Sequence, residues 1–314
     1  MISDFLKKRI ILTTIRTAVI CLLCYVVFNK LKSVRTEISF EDIYLKLLDF
    51  NTLSYILLVV ALSFYNWYTE VIKWKLLVNP SNTDESFWKP ILVGNLLGII
   101  TPCRLGEYAG RALMSPQLDK SHAIYANFIC SLGQNAVNFL IGVPLMYLFV
   151  RQYEIVNSFF DHTILYFSLT IGIFLIILLF QQKLLIRLLT RWDTFKRISV
   201  LHVENRTNAK LLCWSILRYA IYTFQYFLAL QAFGVNLSFL SAITGIGTIY
   251  VLKSILPLPS VFGVVLRVQL ALLVWAELSP DFIGIILASL ALWLFNQFIP
   301  ALLGLPAFWK ATQA

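Results

Sequence analysis

Arg104, Glu107 and Arg111 fall within eight residues in the stretch Thr101-Pro102-Cys103-Arg104-Leu105-Gly106-Glu107-Tyr108-Ala109-Gly110-Arg111, with apolar sequence around them. A guanidinium presents a planar fork of donors matched to phosphate or carboxylate oxygens, so anion binding is the chemistry on offer. Glu107 and Arg111 are one helical turn apart and can pair on one face. Charges at membrane depth are expensive and mark a substrate path or a partnered site. The competing account is a cytoplasmic loop whose charges are solvated and whose ion pair is structural. Pro102 ends the apolar helix before it, and Gly106 permits an irregular backbone. Gly106 and Gly110, with Gly94 and Gly98 upstream, have the spacing for close helix approach.

A second stretch echoes the first: Ile255-Leu256-Pro257-Leu258-Pro259, then Gly263, then Arg267. A short apolar segment again ends at Pro, passes a Gly and resumes as a helix bearing Arg. Pro102, Gly106, Gly110, Pro257, Pro259 and Gly263 are therefore the expected hinge positions. Two interrupted hydrophobic segments in corresponding halves point to a binding site at the membrane midplane, with chance similarity between Pro-containing apolar segments as the competing account. Arg218 lies inside a long apolar run, where insertion scales assign Arg about 2.5–3.5 kcal/mol, and Lys253 precedes the second break. Three polar stripes recur at helical spacing. They are Asn127, Ser131, Gln134, Asn135 and Asn138; Ser215, Arg218, Tyr219, Tyr222, Gln225 and Tyr226; and, more weakly, Ser289, Trp293, Asn296 and Gln297. Such faces turn toward other helices or a watery cavity, although interhelical hydrogen bonding alone also accounts for any single Asn.

The elements that must position these groups are membrane helices. Of 314 residues, 59% are apolar and 13% charged, with a mean hydropathy of +0.77. That leaves too few charges to cover a water-facing surface. Apolar runs at 10–28, 52–78, 121–150, 163–182, 211–233, 239–256, 261–278 and 282–308 approach the roughly 20 residues a spanning helix needs. The run at 90–100 is too short to cross. Lys7-Lys8-Arg9 before the first run resembles a signal peptide, but no Ala-x-Ala-like site follows, so an uncleaved span is expected. Residues 33–50 read as an interfacial amphipathic segment. Trp67, Tyr68 and Trp74 with Lys73 and Lys75 read as an aromatic and basic anchor, with Glu70 and Lys73 as an interfacial pair.

The fold class expected is all-α, a polytopic transmembrane helix bundle of about 6–8 spans. It forms one membrane domain over 1–314, with repeat halves at 52–160 and 211–314 and a cytoplasmic basic loop at 183–210. The net charge of +10 fits the excess of Lys and Arg in cytoplasmic loops and attraction to anionic lipids rather than nucleic acid. The basic loop and N-terminus place both termini in the cytoplasm, provided 90–118 dips in and returns as a re-entrant segment. The five cysteines are scattered and read as small hydrophobes, Cys21 and Cys24 included. The three histidines are far apart, so no metal-ligand spacing exists, and no cofactor is expected.

The stretch from Gly94 to Arg111, G-N-L-L-G-I-I-T-P-C-R-L-G-E-Y-A-G-R, resembles the signature of the lysylphosphatidylglycerol synthase transmembrane family, flippase-like membrane proteins. Trp214-Ser215-Ile216-Leu217-Arg218-Tyr219 with Gln225-Tyr226, and the Pro257 to Arg267 stretch, resemble later segments of that family more loosely. The resemblance implies a helix bundle with two re-entrant segments in an inverted-repeat-like arrangement, moving lipid-linked substrates between leaflets. It also implies a bacterial cytoplasmic membrane. Two departures matter. Family members often carry Glu four residues before the Arg of the second motif, where this chain has Gly263. Charged residues near the middle of the fourth long segment are replaced by Ser131, Gln134 and Asn135. Proton coupling through a matched carboxylate pair is not expected. Lysyl transfer belongs to a separate soluble domain in the family's namesake and is not expected of this chain.

The sequence thus points to a transporter or flippase for an anionic, lipid-like substrate, with membrane lipids as partners. Arg104, Arg111 and Arg267 would attract its phosphate or carboxylate, with Glu107 holding Arg111. Lys253 and Arg218 would line the route, and Asn127, Gln134 and Asn135 would hydrate a head group. The alternatives are a membrane-embedded transferase using a lipid-phosphate donor, for which Glu107 stands nearly alone, and a non-transporting scaffold of a lipid-synthesis complex.

Overall fold

Apolar chain that cannot hydrogen-bond to lipid must satisfy its backbone internally, and here it does so in helices. A computed structural model describes residues 50–78, 87–101, 104–154, 158–181, 184–187, 203–255 and 263–313. Its elements run α1 (Phe50–Val78), α2 (Trp88–Ile100), α3 (Leu105–Leu113), α4 (Lys120–Gln152), α5 (Ser158–Phe180), α6 (Asn205–Ala232), α7 (Phe239–Ile255), α8 (Gly263–Trp275) and α9 (Phe282–Trp293). A π-helical turn (Leu294–Phe298) then leads directly into α10 (Ile299–Gln313). The described residues contain no strand. The expected first span, the amphipathic segment at 33–49, Pro102, Pro257, Pro259 and most of the basic loop lie outside the described residues.

Among the described residues, three helices are long and apolar enough to cross a membrane: Asn51–Val78, Lys120–Gln152 and the continuous Phe282–Gln313. The α6 helix has 28 residues, and its interior carries Arg218, Gln225 and several tyrosines. Both α2, with 13 residues, and α3, with 9, are too short to span about 30 Å of hydrocarbon.

A tight turn joins α2 to α3. Thr101 leaves the helix with ψ 147°; its hydroxyl donates to the Leu97 carbonyl at 2.7 Å and accepts from the Gly106 amide at 2.6 Å. Arg104 enters α3 in the left-handed region at φ 57°. The two helices are antiparallel and their backbones nearly touch. A Cβ on Gly110 would lie 2.8 Å from the Gly94 Cα, and one on Gly106 would lie 2.3 Å from the Leu97 carbonyl oxygen. The glycine spacing read from sequence is the contact surface of this hairpin. The α2 helix also packs against α10, with Gly304 beside the Leu92 backbone, and its Asn95 amide donates to the Gln297 carbonyl of the π turn at 2.8 Å.

The π turn also has a local cause. Pro300 has no N–H to give the Asn296 carbonyl, and its ring crowds that oxygen. The ladder widens just before it, so that the Ile299 amide bonds back to Leu294. That widening re-aims Asn296 and Gln297.

Three apolar clusters hold the described part of the bundle: Phe139, Val143 and Met146 of α4 pack with Val251 of α7 in one, and the other two lie toward opposite ends of the same helices. Of these two, one gathers Val59 of α1, Phe149 of α4 and Tyr226–Phe233 of α6 around Trp275, Ile285 and Leu292. The other gathers Val71 and Trp74 of α1, Ala126 and Ile129 of α4, and Leu211 of α6 against Ile91 and Leu179. Between these cores each of the three helices carries polar residues on one face: Asn66 and Glu70 of α1, Gln134, Asn135 and Asn138 of α4, and Arg218 and Tyr222 of α6.

A mid-height cavity with a shared carboxylate at its wall

Between the two cores lies a cavity of about 530 Å3. The middle of α1 contributes Asn66, Glu70 and Lys73, and the middle of α4 contributes Ser131, Gln134, Asn135 and Asn138. From α6 come Arg218, Tyr219 and Tyr222, and from the π turn Asn296 and Gln297. The α2–α3 hairpin adds Asn95, Arg104, Glu107 and Arg111; α7 and α8 add Tyr250, Lys253, Gly263 and Arg267. Both stretches singled out in the sequence thus reach one space.

Its charges are not evenly matched. Lys73, Arg104, Arg111, Arg218, Lys253 and Arg267 face two carboxylates, Glu70 and Glu107. Glu70 is the hub. Its Oε2 takes Lys73 at 2.9 Å and Arg218, while its Oε1 takes Arg111 at 2.9 Å. The Arg111 Nη2 bridges to Glu107 at 2.6 Å, and Glu107 in turn holds Arg104 at 3.0 Å. Arg111 is buried, and its guanidinium lies over the Trp74 ring with 5.2 Å to the centroid. Arg111 is thus paired and buried on a helix, while Arg104 is paired but its side chain remains 38% exposed.

Amides extend the network. The Arg218 Nε donates to Asn66 at 3.1 Å, Asn66 donates to Asn296 at 2.8 Å, and Asn296 donates to Gln225 at 3.0 Å. Gln225 is anchored to the Val59 carbonyl at 2.8 Å and to Ser63. On the opposite wall, Lys73 donates to Gln134 at 3.2 Å. Polar groups held in so low a dielectric lean on one another for their hydrogen bonds.

The sequence expectations divide accordingly. Arg104, Glu107, Arg111, Gln134, Asn135, Arg218, Lys253 and Arg267 line the cavity. Asn127 does not. It is fully buried on the same helix, and neither side-chain amide atom has a partner among the described residues. Four residues earlier than Ser131, it lies beside the apolar core that closes the cavity's end. Ser215, Gln225 and Tyr226 stand behind the wall, with Tyr226 bonded to Ser289 at 2.8 Å. Of the hinge glycines, Gly106 and Gly110 lie inside α3 as packing contacts, and Gly263 is the first residue of α8.

Glu70 and Lys73 overturn an expectation. They are no interfacial pair: Glu70 is 4% exposed and Lys73 fully buried, both facing the cavity. Of the aromatic and basic residues around them that mimic a membrane-surface anchor, Trp67 and Trp74 are buried, while Tyr68 and Lys75 are exposed, Lys75 over the Phe87 ring. The signal was available in the spacing of Asn66, Glu70 and Lys73, which share one face of α1. Comparison with family models, with curated proteins and with solved structures finds no match to this chain.

Proposed function

We propose that this chain is a membrane-embedded carrier that moves an anionic lipid or lipid-linked head group between leaflets, as its resemblance to the lysylphosphatidylglycerol synthase transmembrane family implies. The carrying observation is the mid-height cavity in which six cations face two carboxylates. An excess of positive charge in a low-dielectric space attracts an anion strongly. At about 530 Å3 the space suits a head group and not a pair of acyl chains.

The rim favours a lipid over a soluble anion. Arg104 is partly exposed at the hairpin tip, and Ile100 and Leu105 beside it are 63% and 65% exposed. A charged group can enter next to Arg104 while its apolar tails remain against Ile100 and Leu105 in lipid. In this reading the α2–α3 and α7–α8 pairs are the two re-entrant segments, and their relative movement opens the cavity to either leaflet.

Reconstitution tests the reading. The full chain in vesicles containing head-group-labelled phosphatidylglycerol or phosphatidylcholine should exchange the anionic lipid across leaflets faster than the zwitterionic one, measured by quenching of the outer-leaflet label. No acceleration over protein-free vesicles, with these or any native lipid and in either direction, overturns it.

A further inference from the structure

The two ends of the cavity differ in how their cations are satisfied. Lys73, Arg111 and Arg218 share Glu70, and Arg104 shares Glu107 with Arg111. Lys253 and Arg267 have no carboxylate among the described residues. Lys253, an exposed residue at the edge of the cavity, makes no hydrogen bond among them, and Arg267, Arg104 and Arg218 are near enough to repel it. Arg267 is 3% exposed. Its Nη1 donates to the Tyr222 hydroxyl, and its guanidinium lies over the Tyr222 ring with 5.8 Å to the centroid. No other hydrogen bond to its guanidinium falls among the described residues, and Arg267 lines the cavity.

Space matches charge at this end. Gly263 lines the cavity one turn before Arg267, and among the described residues a Cβ built on it meets no atom within 4 Å. A side chain at this position would stand beside Arg267. No described side chain occupies the place beside Gly263 from which a carboxylate would neutralise Arg267, whereas Arg111, the other buried arginine among the described residues, is paired with two carboxylates.

We propose that the Lys253–Arg267 end of the cavity is the anion subsite, and that a phosphate-type oxyanion seated beside Gly263 serves as the counterion that the protein itself does not supply. The inference rests on the carrier reading and specifies where its substrate binds. A carboxylate has one charge and two oxygens, which Arg267 alone would satisfy. Two unmatched cations on separate helices suit a phosphomonoester or phosphodiester, whose several oxygens accept from the Arg267 fork and the Lys253 ammonium together. Tyr222 fixes the guanidinium before the anion arrives, which lowers the ordering that binding requires. The Glu70 and Glu107 cluster then acts as the wall that shapes the cavity, its cations already occupied.

The test exploits the empty space at Gly263. The purified full-length protein in detergent is titrated calorimetrically with dihexanoyl phosphatidic acid and, separately, with inorganic phosphate, as wild type, Gly263→Glu and Gly263→Gln. The two substitutions add nearly the same bulk, and thermal unfolding confirms that both fold, so their difference reads charge. Gly263→Glu should weaken phosphatidate binding about tenfold or more, while Gly263→Gln stays within about threefold of wild type. Binding of phosphatidate alone identifies a lipid head group as the source, and equal binding of inorganic phosphate identifies the free anion; both support the subsite. It is overturned if Gly263→Glu binds as tightly as wild type, if Gly263→Gln loses as much as Gly263→Glu, or if wild type binds neither probe at millimolar concentration. Leaflet exchange by the wild-type protein that persists under any of these outcomes leaves the carrier standing with its substrate elsewhere.

Discussion

Glu70 carries more of this structure than any other single side chain, because three cations on three helices share its two oxygens. Burying an ion is costly, and a partly dismantled network is worse than none, since the remaining charge keeps its desolvation cost without its partner. Glu70→Gln leaves Lys73 with no carboxylate and only the Gln134 oxygen at 3.2 Å. That substitution should destabilise the protein by about 3–5 kcal/mol, read as a lower midpoint in a denaturant titration of the purified protein. Glu70→Gln combined with Lys73→Met removes both members and should recover a good part of the loss. A double variant no more stable than the single one would show that Arg111 and Arg218, not Lys73, depend on Glu70. The sequence concealed this residue for a physical reason: Trp67, Tyr68, Trp74 and Lys75 occupy neighbouring faces of the same two turns and carry the pattern of a membrane-surface anchor. By contrast, the Glu107–Arg111 pair was legible at one turn's spacing, and the structure joins it at 2.6 Å.

The helices themselves were largely legible, because apolar runs bounded by Pro and Gly report both length and interruption. The 90–100 run appears as α2, and the 121–150 run as α4, which passes Pro144 without ending. What no periodicity reports is which helix faces which. Nothing in the sequence sets α10 against α2, or predicts that Pro300 would widen the ladder and bring Asn296 against Asn66 at 2.8 Å. The α2–α3 hairpin lies between these cases: its glycines announced a close contact without naming the partner. A Cβ on Gly110 would meet backbone, the Gly94 Cα and the Val93 carbonyl oxygen, both at 2.8 Å. Backbone cannot rotate aside as a side chain can, so Gly110→Ala must pry the hairpin apart. It should lose about 1–3 kcal/mol of stability and displace Arg111, which follows directly in sequence. Gly263→Ala is the matched control. With no atom of the described residues within 4 Å of its Cβ, it should be neutral or up to about 1 kcal/mol more stable. Equal losses from both would mean that helix propensity, not close approach, governs these positions.

At the scale of the whole molecule, the polar layer occupies the middle of α1, α4 and α6 with apolar cores toward either end. A soluble bundle would place its polar groups outside and its apolar ones within. Here exposed Phe64, Phe167, Ile173 and Leu303 cover the outside, while Arg and Glu face a central space. The arrangement is that of a protein solvated by lipid around an aqueous interior. The hairpin determines how the chain threads that solvent. At 1.5 Å per residue α2 and α3 reach only about 20 and 14 Å, and their antiparallel packing brings the start of α2 and the end of α3 to one end of the bundle. Residues 89 and 117 should therefore lie on the same side of the membrane. Lys89 and Gln117 are both exposed, so Lys89→Cys and Gln117→Cys, each in a chain whose five native cysteines are replaced by Ala, can be labelled with an impermeant maleimide in oriented vesicles. Both should react from the same side, and blocking that side should abolish both signals. Labelling from opposite sides would require one short helix to cross, would place Arg104 at a membrane surface instead of at the cavity rim, and would dismantle the paired-hairpin arrangement on which entry of a head group beside Ile100 and Leu105 depends.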